Sequence, residues 1–156
     1  MSGIPARGPD RRTTVAPRPR RGPLLQQFGF ARERLTDRLA GPVMDSGTWR
    51  LSHLSELLAL RADHTDGSHS LPRDDYAVAG DAATAIAAFD AAATAWRTAL
   101  LGVDDPALDT VGHSTYPHGS DPEDPFIDIV WWVNQELLHH GAEIALLRDL
   151  YRARQR

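Results

Sequence analysis

Two histidines fall on helical stripes that should be dry, and an acid stands one turn from one of them. His140 stands between Leu137 and Ile144 on the apolar face of a long C-terminal segment. Glu136 precedes it by one turn, where Cβ atoms four residues apart lie about 5–6 Å from each other. His53 stands between Trp49 and Leu57 on the core-facing stripe of an earlier segment. A buried, ionised carboxylate without a partner is strongly unfavourable even after relaxation. A divalent cation shared by His53, Glu136 and His140 offsets that cost. Two imidazoles and one carboxylate also leave coordination positions open for water or substrate. Zn²⁺ is the first choice, and Fe²⁺, Mn²⁺ and Ni²⁺ suit the same donors. Two plainer readings compete: each histidine is a hydrogen-bonded core residue, and Glu136 pairs with an arginine such as Arg50, near His53.

Neighbouring residues extend the set. His139 points about 100° away from His140 around the helix, so it does not share the same ion. Glu136 and His139 form half of a ferritin-type di-iron motif, but no second Glu-x-x-His exists in the chain. His139 is therefore read as an interhelical or supporting residue, and Glu143 as a hydrogen-bond partner that orients an imidazole. A plain surface role suits each as well. His113, Tyr116 and His118 precede the last helix and either approach the open side of the site or are ordinary loop composition.

Four amphipathic helices must position these groups. The first spans about Pro23 to Ala40, with Leu24, Phe28, Ala31, Leu35 and Leu39 on one face. The second spans about Thr48 to His64, with Trp49, His53, Leu57 and Leu60 together. Asp81 caps the third, whose seam is Ile86, Phe89, Ala93, Trp96 and Leu100 and which stops near Pro106. The last spans about Asp124 to Ala153, with Phe126, Val130, Val133, Leu137, His140, Ile144, Leu147 and Tyr151 alternating in threes and fours. Trp131 either completes the core or faces a partner subunit in a homodimer. Four such helices and no useful strand alternation predict an all-α four-helix bundle.

Composition narrows the function classes. In 156 residues there is no cysteine, which excludes disulfides, thiolate ligands and a cysteine nucleophile. No apolar run approaches the roughly 20 residues of a membrane span. All 17 basic residues are Arg, read here as the coding style of a GC-rich bacterium. Six Arg and one Asp give residues 1–22 a charge of +5, against −4 for the whole chain. That proline-rich stretch is expected to be a disordered tail, with the bundle over 23–156. The acidic body argues against nonspecific nucleic-acid binding, and cytoplasm is the default location.

The stretch Trp131–Tyr151 (WWVNQELLHHGAEIALLRDLY) resembles the last helix of DinB-like proteins, and Trp49–Leu54 resembles their second. That superfamily includes the mycothiol-dependent maleylpyruvate isomerases. The resemblance covers about residues 23–153. It implies a four-helix bundle whose metal is held by one histidine of the second helix, matching His53. A His or Glu and then a His on the fourth helix match Glu136 and His140. Glu in the first of those two positions is similar to the isomerase branch. The implied activity is a metal-dependent S-transferase or isomerase that uses a low-molecular-weight thiol, mycothiol, on a small electrophilic or thiol substrate. With no Cys in the chain, the sulfur must arrive from outside. One departure stands out: Gly41 to Thr48 joins the first two helices in fewer residues than is usual. That shortening removes a lid over the metal or draws the two helices into a tighter hairpin, and it supports an alternative, a non-catalytic binding or stress-response module.

Overall fold

Apolar spacing in threes and fours becomes helix throughout the computed structural model, which describes residues 19–39, 45–72, 77–116 and 122–156. The helices are α1 (Arg21–Leu39), α2 (Asp45–Asp66), α3 (Ala82–Gly102), the four-residue α4 (Asp105–Leu108) and α5 (Phe126–Arg154). The described residues contain no strand, only an isolated bridge between Val111 and Pro125. The all-α expectation holds. No described helix is long and apolar enough to cross a membrane. The expected tail, up to residue 18, and residues 40–44 of the short connection lie outside the described residues.

Local chemistry sets the helix limits. The Asp81 carboxylate accepts from the backbone N–H and hydroxyl of Thr84, capping α3 as expected. Asp104 does the same for α4 through Ala107. That short helix was not expected, because Asp104-Asp105-Pro106 reads equally as a terminator and as a helix start. The start of α1 is capped from a distance. Asp105 accepts from the backbone N–H groups of Arg20 and Arg21, and Arg20 also pairs with Asp109 at 2.6 Å. The Phe126 N–H donates to Thr110 O, tying the start of α5 to the segment after α4.

Side-chain contacts give the helix directions. Asn134 donates to Leu24 O and Gln27 Oε1, and Arg38 meets Asp149, so α1 and α5 run parallel. Ala79, just ahead of α3, donates to Ser52, while the end of α3 at Gly102 lies beside Asp66, so α2 and α3 also run parallel. Arg50 with Glu143 and Arg61 with Trp132 make α2 and α5 antiparallel. Arg21 with Leu101 and Arg32 with Asp90 do the same for α1 and α3. Each of α1 and α2 packs on α3 and α5. The tighter hairpin between α1 and α2 is thus not what forms; those two helices lie across the bundle from each other.

The core is filled by Phe28, Leu35, Leu51, Leu54, Leu58, Phe89, Trp96, Phe126, Val130, Leu137 and Ile144. Burying each Leu or Phe contributes about 1.5–3 kcal/mol. One expectation about facing needs correction, and one open alternative is decided. Trp49 is 54% exposed and lies off the core face of α2, which is built instead from Leu51, Leu54, Leu58 and Ala62. Trp131 is 53% exposed and does not complete the core.

Candidate metal centre

The antiparallel contact of α2 and α5 lays residues of the two helices side by side, and His53 meets His140 in this groove. Their ring centroids are 5.1 Å apart and the planes nearly perpendicular. Glu136, one turn before His140, places Oε2 3.3 Å from His140 Nε2. One ligand atom from each of His53, Glu136 and His140 lies within 4.8 Å of the others, and all three residues are half-buried. A tetrahedral ion with bonds near 2.0–2.1 Å requires donors about 3.4 Å apart. The His140–Glu136 edge already has that length, and the His53 donor lies within 4.8 Å of both. Among the described residues this is the one such group of His and carboxylate side chains.

The imidazoles are held from behind. Glu143 Oε2 accepts from His140 Nδ1 at 2.7 Å and from Arg50 Nε at 2.9 Å. Hydrogen bonds from His140 and Arg50 bring the Glu143 carboxyl down to about 2. An ionised carboxylate only accepts, so Nδ1 carries the proton and Nε2 turns toward Glu136. At 3.3 Å, Nε2 and the Glu136 oxygen have the separation of two donors on one ion. On α2, the Trp49 indole stacks on the His53 ring with centroids 5.7 Å apart and planes 8° from parallel. Glu56 Oε2 lies 4.0 Å from His53 Nδ1.

Other expected residues divide clearly. Glu143 occupies the orienting position expected of it. Arg50 pairs with Glu143 and not with Glu136. His139 is largely exposed, stacks on the outer flank of His140 at 4.9 Å and approaches Glu143 Oε1 at 3.5 Å. Tyr116 is buried under the Arg61 guanidinium, 3.9 Å from its ring centre, and against His64. Those partners lie about 12–16 Å along α2 from His53, so Tyr116 belongs to the far end of the groove. His113 packs on Phe126, and His118 lies outside the described residues. Glu56 went unnoticed in the sequence, although its spacing of three from His53 carries the same signal that identified Glu143 from His140.

A bundle with two parallel helix pairs and a His–Glu–His groove between α2 and α5 defines the class. The chain matches the DinB superfamily over residues 42–144 and belongs to it. The matched stretch contains His53, Glu136, His140 and Glu143, and leaves α1 outside. No curated protein and no solved structure matches the chain.

Proposed function

We propose that this protein is a divalent-metal-dependent DinB-type enzyme of the cytoplasm, an S-transferase or isomerase that works with a low-molecular-weight thiol, mycothiol. The observation that carries the reading is the convergence of three donor atoms from two helices. His53, Glu136 and His140 would hold the ion, with Zn²⁺ the first choice among the divalent ions that suit these donors. An ion held there would supply a positive charge that favours the thiolate form of a thiol cosubstrate. The chain supplies the rest. Glu143 fixes the His140 ring so that Nε2 faces inward, Trp49 flanks His53, and half-exposed Trp132 lies one turn from Glu136 along the groove. Cysteine is absent, so the nucleophilic sulfur comes from the cosubstrate.

The test is thiol consumption by zinc-loaded protein given mycothiol and chlorodinitrobenzene as the electrophile. Turnover is expected for the native chain and a loss of about 100-fold or more for His53→Ala, whose metal ligand is gone. A loaded protein that consumes no thiol with this or any other small electrophile would instead support the non-catalytic binding module.

A further inference from the structure

We propose that Arg50 is the positioning residue of the metal centre, the side chain through which α2 sets the orientation of the histidine contributed by α5. The proposal rests on the metal reading given above and deepens it. Arg50 Nε donates to Glu143 Oε2 at 2.9 Å, and the same oxygen accepts from His140 Nδ1 at 2.7 Å. One carboxylate oxygen therefore joins a guanidinium of one helix to an imidazole of the other. Glu143 alone stands one turn beyond His140 on the same helix, where its side chain has several rotamers. Arg50 selects the rotamer that reaches His140. The guanidinium also lies 6.0 Å over the Trp49 ring, and Trp49 stacks on His53. A single side chain thus contacts the supports of both imidazoles, from a position three residues before His53. Partners that orient metal-bound histidines are worth about 10–100-fold in metal affinity.

Zinc affinity measured against a competing chelator tests this, using the full chain and the variants Arg50→Ala, Arg50→Lys, Glu143→Ala and Arg50→Ala/Glu143→Ala. Arg50→Ala is expected to bind zinc about 10-fold or more weakly. Arg50→Lys restores the charge opposite Glu143 and recovers part of that loss, though not the flat fork that lies over Trp49. Because Arg50 acts through Glu143, the double variant loses less than the product of the two single effects. Both side chains are about one-third exposed, so the metal-free variants melt within a few degrees of the native chain. Native affinity in Arg50→Ala, or fully multiplicative losses in the double variant, would overturn the proposal.

A second readout separates it from the metal reading. Long-range ¹H–¹⁵N spectra of the metal-free protein should show a hydrogen-bonded Nδ1–H on His140 in the native chain and the loss of that signal in Arg50→Ala. If zinc fails to bind the native chain while this dependence persists, the metal reading falls and only the orienting of the His140 ring by Arg50 stands. An unchanged Nδ1–H signal in Arg50→Ala removes the positioning role.

Discussion

Two adjacent histidines on α5 have opposite prospects. The His140 ring faces the groove, with Nδ1 held by Glu143 and Nε2 turned to Glu136, whereas His139 lies on the outer flank and is largely exposed. Replacing His140 by Ala should weaken zinc binding by about 100-fold or more, while His139→Ala should leave it within about threefold. Isothermal titration of the two variants checks this, and equal losses would contradict the geometry. Much of this site was legible from the sequence, because a histidine on an apolar stripe and an acid at spacing three or four share a helix face whatever the tertiary structure. The partner of Arg50 was not. Glu136 and Glu143 are seven residues apart and present nearly the same face, so the choice between them depends on how far α2 slides along α5. That register is set by packing across the whole groove, and no local signal carries it.

Helix α2 ends in a clasp whose chemistry predicts a pH dependence. Asp63 accepts from the backbone N–H groups of Ser68, Ser70 and Leu71 and from the Ser68 hydroxyl, pinning the chain as it leaves the helix. Gly67 lets that turn close, since a Cβ there would lie 2.6–2.8 Å from Asp63 atoms. Burial alone would raise the Asp63 carboxyl, but these hydrogen bonds outweigh it and lower the group to about 2. A depressed carboxyl stabilises the fold fully above its unfolded value near 4 and loses that contribution as pH falls through 2. Asp63→Ala should therefore cost about 1 kcal/mol at pH 7 after allowing for solvent screening. The gap between variant and native protein should narrow from pH 4 to pH 2 in denaturant titrations, and a constant gap would contradict the assignment. At this scale the sequence also misleads in one instructive way. Strict alternation of threes and fours along α5 has a period of 3.5, whereas the helix turns every 3.6 residues, so the stripe rotates by about 20° per heptad. By the C-terminal turns Arg148 is buried, Leu147 is half-buried and Tyr151 is exposed.

At the scale of the molecule, the bundle places α2 against α5 and sends α1 across from α2. Nothing in the helix periodicities specifies that arrangement, since each amphipathic face is satisfied by any apolar neighbour. The DinB-like sequence resemblance carried the fold, and the pairings Asn134–Leu24, Arg50–Glu143 and Arg61–Trp132 show how it is realised here. The antiparallel register of α2 and α5 also brings His53 opposite His140, so the candidate centre is a product of topology as much as of its three donors. The most direct measurement is anomalous scattering at the zinc edge from crystals of the protein grown with Zn²⁺. The account predicts one strong peak per chain, about 2.0–2.2 Å from donor atoms of His53, Glu136 and His140. Ordered side chains with no peak between them, or a peak held by other residues, would contradict it.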